Sequence, residues 1–276
     1  MYLQTSRRKI LLEKALVMGI LNVTPDSFSD GGEFLSVDDS LRHAEAMIAD
    51  GADIIDVGGE STRPGSGQVA ADDEIERVVP VIEAIAKRFD APVSIDTTKS
   101  EVAACAIDAG AEIINDISGL RFDEKIADIA TRTNAGLVLM HSRGEFASMH
   151  SQPPVDDIVT EVIEGLNRSL KLAAIHGVRG EQIAVDVGIG FGKTQEQNLE
   201  LLAKLDNIVS EFKAYPMLIG TSRKSFLTRI VGNVPPAERT GGSLATALVA
   251  IRNGAKILRV HDVRETVSAV KTAVVI

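Results

Sequence analysis

Side chains able to hold or transform a small molecule recur in this chain at one kind of place, directly after short apolar stretches. Asn22, Thr62 with Arg63, Asp96, Asn115, His141, Asp186, Arg223 with Lys224, and Arg259 with His261 all stand there. They divide into two chemical groups. Asp96, Asn115 and Asp186 offer two carboxylates and an amide, and acids at the ends of apolar strands need partners. A flat heterocycle with several ring N–H and amino donors is such a partner, and Lys224 can offset one acid while donating to a ring carbonyl or nitrogen. Arg63, Arg259 and His261, with Asn22 next to them, form a cationic group suited to clamping a diphosphate. Arg259 and His261 are two apart, so on an extended strand end both point the same way. Asn22 is uncharged, and its oxygen can ligate a Mg2+ shared with phosphate oxygens.

Blander readings exist for both groups. Asp96 precedes Thr97-Thr98-Lys99, where it could cap the following helix, and the cations could form surface ion pairs with the many acids. Convergence of three acid or amide residues on one mouth argues against capping alone. Gly188-Ile189-Gly190-Phe191-Gly192-Lys193 resembles a phosphate-cradling loop but lacks the Lys-Ser/Thr ending that would make the match strong. Ser222-Arg223-Lys224-Ser225 opens a helical stretch, whose exposed N–H groups, with the Ser225 hydroxyl, suit a small carboxylate. His43, His150 and His176 lack ligand spacing and read as structural or surface residues. No Ser-His-Asp order, His-x-x-x-His pair or Gly-x-Ser-x-Gly elbow occurs.

Strand-like and helix-like stretches alternate throughout. The strands are Val17–Val23, Ile54–Val57, Pro92–Ile95, Ile113–Ile114, Gly136–Met140, Ile183–Val187, Met217–Ile219 and Ile257–Val260. Between them lie helices such as Val37–Asp50, with Ser36 as N-cap, Asp72–Phe89, Lys99–Ala109 and Val155–His176. Thr24 to Gly32, rich in Pro, Gly and hydroxyl residues, reads as a mobile loop around Phe28. Three helix-to-strand junctions repeat: Gly51-Ala52-Asp53-Ile54-Ile55, Gly110-Ala111-Glu112-Ile113-Ile114 and Gly254-Ala255-Lys256-Ile257-Leu258. Each puts Gly where a helix C-cap needs a left-handed residue. Eight strand–helix pairs, with strands too apolar to alternate, predict an α/β fold with an all-parallel sheet. No Gly-x-Gly-x-x-Gly turn follows the first strand, which favours a closed (β/α)8 TIM barrel with its site at the C-terminal strand ends. No linker or charge block divides the chain, so residues 1–276 read as a single domain.

The chain has 276 residues, 45% hydrophobic, and a net charge of -10. That charge argues against general nucleic-acid or anionic-membrane binding. One cysteine, Cys105, excludes an internal disulfide and multi-cysteine metal sites, and its alanine-rich flanks place it in helix core. Arg7, Arg8 and Lys9 have no apolar segment behind them, and no run approaches the ~20 residues of a membrane span. The expectation is a soluble, cytoplasmic protein.

With these residues assembled, the sequence resembles the dihydropteroate synthase family over essentially its full length. The resemblance rests on Asn22-Val23-Thr24-Pro25-Asp26-Ser27-Phe28-Ser29-Asp30-Gly31-Gly32, Asp56-Val57-Gly58-Gly59-Glu60-Ser61-Thr62-Arg63-Pro64-Gly65, Ser94-Ile95-Asp96-Thr97, Asn115-Asp116-Ile117-Ser118-Gly119, Gly190-Phe191-Gly192-Lys193, Ser222-Arg223-Lys224-Ser225 and Arg259-Val260-His261-Asp262. It implies condensation of (7,8-dihydropterin-6-yl)methyl diphosphate with 4-aminobenzoate, releasing diphosphate, in a Mg2+-dependent homodimer that sulfonamides target. It further implies that Asp96, Asn115, Asp186, Lys224, Phe191 and Met140 hold the pterin. Asn22, Thr62, Arg63, Arg259 and His261 meet the diphosphate, with Asn22 on the metal. Phe28, Thr62, Pro64, Arg223 and Ser225 surround 4-aminobenzoate, and Asp96, Lys224 and Arg63 act in catalysis. One departure is Val187, where the family usually has Pro after the acid. A pterin-binding methyl-transfer barrel working with a corrinoid protein shares the acid and amide group but does not need Arg259, His261 or the Ser222–Ser225 run. A non-catalytic scaffold is the third reading.

Overall fold

Strands begin where β-branched and aliphatic residues cluster, and the helix-to-strand junctions decide where the chain turns into them. Gly51, Gly110 and Gly254, at the three repeated junctions, have φ of 100°, 120° and 103°, a left-handed conformation open to glycine at little steric cost. The computed structural model describes residues 1–24, 36–63 and 65–275. After an antiparallel hairpin of β1 (Tyr2–Gln4) and β2 (Lys9–Leu11) come eight strands: β3 (Leu16–Asn22), β4 (Ile54–Gly58), β5 (Val93–Asp96), β6 (Ile113–Asp116), β7 (Gly136–Met140), β8 (Ile183–Asp186), β9 (Met217–Ile219) and β10 (Ile257–Val260). All eight pair in parallel, in sequence order, and β10 closes on β3. This is the (β/α)8 barrel expected.

Helices α1 (Val37–Ala49), α2 (Ala71–Arg88), α3 (Ser100–Ala109), α4 (Lys125–Thr133), α5 (Ile158–Ile175), α6 (Gln195–Ala203), α7 (Leu205–Glu211), α8 (Thr228–Val231), α9 (Thr240–Arg252) and α10 (Val263–Val275) surround it. Ser36 caps α1 as predicted, accepting from the Asp39 N–H at 3.1 Å. Side chains alternate along each strand: Ile55 and Val57 pack outward against helices, while Ile54 and Asp56 point inward. The lower barrel is apolar, filled by Leu16, Met18, Ile54, Ile113, Val138, Ala184, Leu218 and Ile257. The hairpin, absent from the sequence expectations, plugs that end with Leu3 and Leu12. Cys105 lies on α3 but is only partly buried.

Candidate active site

Parallel register sets the upper layer of the barrel. Asn22 pairs with Gly58, Gly58 with Asp96, and Asp96 with Asn115, so these four stand in one row across β3 to β6. Asp186 ends β8 beside Met140 of β7. Asp96, Asn115 and Asp186 therefore do share one mouth. Asp96 does not cap α3; the Ser100 N–H at that helix start donates instead to Asp123 Oδ2 at 2.8 Å. Burial pushes the Asp96 carboxyl up to about 7 even though Arg259 opposes the shift. Asp186 is likewise raised by burial, with Lys224 opposing.

The two chemical groups read from the sequence, acids for a heterocycle and cations for a diphosphate, meet at Arg259. Its side chain points inward from β10, where Nε donates to Asp56 Oδ2 at 2.6 Å and Nη2 to Asp96 Oδ2 at 2.5 Å. Burial works against this charge, and the Asp56 and Asp96 carboxylates overcome it, so the guanidinium is held above its usual pKa. Asp56 was not among the expected site residues. The signal was present: an acid inside the apolar run Ile54-Ile55-Asp56-Val57 costs too much to bury without a partner. Its second oxygen, Oδ1, has no hydrogen-bond partner, nor has Ser94 Oγ on the neighbouring strand.

Toward the rim, His261 sets its backbone and ring on one hydroxyl: its N–H and its Nδ1 each lie 3.1 Å from Ser222 Oγ. Burial, with Arg259, Arg223 and Arg63 adding like charge, pushes the imidazole down to about 3, so it is neutral here. Thr62 is half-buried and Arg63 exposed in the loop after β4. That loop is anchored by an ion triad in which Lys99 Nζ lies 3.0 Å from Glu60 and 2.6 Å from Glu74, both carboxylates being buried. A Cβ on Gly58 would stand 3.5 Å from Asn22 Oδ1 and 3.8 Å from Asp96 Oδ2, so both oxygens face this position of β4.

After β9, Arg223 adopts φ 60°, and its guanidinium is bidentate on Asp262, 3.1 Å from Oδ2 and 2.5 Å from Oδ1. It ties the loop after β9 to the end of β10. The predicted helix at Ser225 is a 3-10 turn, Ser225–Leu227, leading into the four-residue α8, so little macrodipole backs this terminus. Lys224 donates to the Ile189 carbonyl and sits 4.5 Å from the centroid of the Phe191 ring. Burial pushes its ammonium down to about 8 against the pull of Asp186. Met140, Phe191, Ile117 and Met149 pack together beside it.

The glycine-rich loop after β8 is not a phosphate cradle. The Gly188 N–H donates to Asp186 Oδ1 at 2.8 Å, Gly190 N–H to Asn198 Oδ1 at 2.7 Å and Phe191 N–H to Gly188 O at 3.1 Å. These donors are already used. His150, read as structural or surface, is exposed and bridges loops: Nε2 lies 2.7 Å from Thr62 O and Nδ1 3.3 Å from Gly190 O. Phe28 and Pro64 lie outside the described residues.

Residues 18–261 match the family model for pterin binding enzymes. A dihydropteroate synthase of Bacillus subtilis is 48% identical over 92% of this chain and 85% of its own length. The Yersinia pestis dihydropteroate synthase, solved with a sulfonamide drug complex, superposes with a TM-score of 0.93 at 41% identity, covering 100% of this chain and 98% of that one. The Xanthomonas albilineans dihydropteroate synthase, solved with 4-aminobenzoic acid, gives 0.91 at 39% identity over 99% of this chain and 97% of that one. A barrel with these acids and amides at its mouth, matched from β3 to β10 by whole-length relatives, belongs to the pterin-binding enzymes and, within them, to the dihydropteroate synthase family.

Proposed function

We propose that the site condenses (7,8-dihydropterin-6-yl)methyl diphosphate with 4-aminobenzoate by a dissociative substitution. The observation that carries this reading is the union of Asp96, Asn115 and Asp186 with Arg259 in one mouth, His261 lying just above. Asp96, Asn115 and Asp186 accept from the pterin N–H and amino groups, Lys224 donates to a ring acceptor, and Phe191 and Met140 flank the ring. Asn22, Thr62, Arg63, Arg259 and His261 take the diphosphate.

Asn22, at the end of β3 beside Gly58, offers a neutral oxygen of the kind a small hard cation takes. Asn22 would hold Mg2+ there through its neutral oxygen, and the ion supplies charge neutralisation to the departing diphosphate. As the C–O bond breaks, its electron pair leaves with the diphosphate, which Arg63 and Arg259 stabilise. Asp96 stabilises the positive charge left on the exocyclic methylene and ring. The arylamine lone pair then forms the C–N bond and an amine proton passes to solvent; no general base is needed. Phe28, Thr62, Pro64, Arg223 and Ser225 shape the 4-aminobenzoate pocket, with Arg223 set by Asp262.

We further place the whole chain, 1–276, in one cytoplasmic barrel domain that forms a homodimer. Exposed Ile230 and Val231 on α8, Val249 on α9, and Val274 and Val275 on α10 support the dimer, since these packed elements leave apolar side chains uncovered. Light scattering on the purified protein tests it. Mixing the protein with the pterin diphosphate, 4-aminobenzoate and Mg2+ and following diphosphate release tests the reaction. Methyl transfer to a corrinoid protein without diphosphate release would overturn it.

A further inference from the structure

Lys193 is the charged residue of the glycine-rich loop that the proposed reaction does not use. Its side chain turns inward. Nζ donates to Gly188 O at 2.8 Å, Phe191 O at 3.0 Å and His141 O at 3.1 Å. Three carbonyl acceptors meet the three N–H bonds of an ammonium; a neutral amine would leave one unanswered. Burial pushes the pKa of this amine well down and Asp186 pulls it back. The three carbonyls decide for the charged form. No carboxylate lies within ion-pair distance of Lys193 among the described residues. The carbonyls come from two loops, one after β7 and one after β8, and they meet around this one cation.

The glycines make that convergence possible. At Gly188, with φ 67°, a Cβ would stand 1.9 Å from His141 O. The two backbones touch there, the His141 N–H donating to Asp186 O at 2.9 Å, and the shared donor Nζ sits between the opposed carbonyls. Either side of the clamp are two groups assigned to the pterin. The Gly188 N–H holds Asp186 Oδ1 at 2.8 Å, and Phe191, whose carbonyl is clamped, carries the ring under Lys224.

We propose that Lys193 is a positioning residue for the pterin: its ammonium, clamped by three backbone carbonyls, sets the turn that aims Asp186 and Phe191 into the mouth. This rests on the functional reading above. The same ammonium has a second effect. Asp186 is buried and raised, and Lys193 joins Lys224 and Arg259 in pulling it back toward the ionised form able to accept from the heterocycle. Removing this charge raises the Asp186 pKa further, so the acid limb of the pterin profile moves to higher pH.

Lys193→Met keeps the length and apolar stem but removes the donors and the charge. It is expected to raise KM for the pterin diphosphate about tenfold, the effect of losing one charged hydrogen-bonding group, while KM for 4-aminobenzoate stays within about twofold. The acid limb of kcat/KM for the pterin should shift upward in pH. An unchanged pterin KM and pH profile, or equal rises in both KM values, would overturn the proposal. Should unsatisfied carbonyls prevent Lys193→Met from folding, Lys193→Gln, which keeps two N–H donors without charge, decides: a shifted acid limb supports the role and an unshifted one ends it. Calorimetry with 6-hydroxymethyl-7,8-dihydropterin, which has no leaving group, separates this from the functional reading. Weaker binding in the variant supports the positioning role even if the wild-type protein releases no diphosphate, and unchanged binding defeats it even if turnover is as proposed.

Discussion

Arg259 Nη2 and Asp96 Oδ2 are 2.5 Å apart, so the cation expected to wait for diphosphate is engaged with the acid expected to wait for pterin. Together with the Asp56 contact, one guanidinium pairs with one oxygen of each of two carboxylates. Pairs of this kind matter most when one partner is removed, because the other is left charged out of water. Arg259→Met should therefore destabilise the protein by about 3–5 kcal/mol at pH 8. The sign with pH follows. Without Arg259, the raised Asp96 carboxyl holds a proton in the folded state that the unfolded chain has released, so the folded form loses stability as pH rises above the ordinary carboxylate range. The deficit should shrink at pH 5.5. Urea unfolding at the two pH values checks this, and a deficit that grows on acidification contradicts the pairing.

Asp96→Asn tests the other partner. The amide cannot stabilise the methylene cation through charge, so kcat should fall by about 100-fold or more. Arg259 is simultaneously released from its carboxylate and stays available to the diphosphate. Product inhibition by diphosphate should be unchanged or stronger. Equal losses in kcat and diphosphate affinity would refute the role given to Asp96.

How legible this site was depended on how local its causes are. The strands, the caps and the mouth could be read because short apolar runs, Ser36 and the three junction glycines act through near neighbours. The row from Asn22 to Asn115 follows once parallel register is assumed. The direction of Arg259 could not be read, since its acceptor Asp56 lies 203 residues away and meets it only when β10 closes the barrel against β3. The partners of His150 could not be read for a similar reason: the path of the loop after β7 is tied to the β4 and β8 loops through contacts remote in sequence. The hairpin was missed because its three-residue strands carry no period.

His261 should couple diphosphate binding to a proton. Held at about 3, against 6.5 ordinarily, it is neutral among arginines. A diphosphate beside it favours the imidazolium, so binding near pH 6.5 should take up protons. Calorimetry of diphosphate binding in buffers of different ionisation enthalpy measures that uptake, and His261→Gln should abolish it. Without ligand, the unfolded chain binds this proton more readily than the folded one as pH falls. The stability contributed by neutral His261 is thus complete above about pH 6.5 and lost progressively toward pH 3. Between pH 7.5 and 5 the wild type should lose about 1–2 kcal/mol more than His261→Gln.

The loop bearing Thr62 and Arg63 should prove sensitive to a residue remote from either substrate. Glu60 Oε1 accepts from the Val69 N–H at 2.5 Å, closing the far end of that loop, and Lys99 binds Glu60 to Glu74 of α2. Burial raises the Glu74 carboxyl, with Lys99 the chief group opposing it. Lys99→Met leaves two acids buried together without a cation, which should cost about 3–5 kcal/mol at pH 8. The raised Glu74 carboxyl keeps a proton the unfolded chain has lost, so the deficit should be smaller at pH 5. Lys99→Met with Glu74→Gln removes one of the stranded charges and should recover part of the loss. A loop no longer drawn to α2 should hold 4-aminobenzoate less well, raising its KM severalfold while the pterin KM holds. A raised KM that persists in the restabilised double variant separates loop placement from fold stability, whereas an unchanged 4-aminobenzoate KM in Lys99→Met would show that the triad supports the fold but does not set the loop.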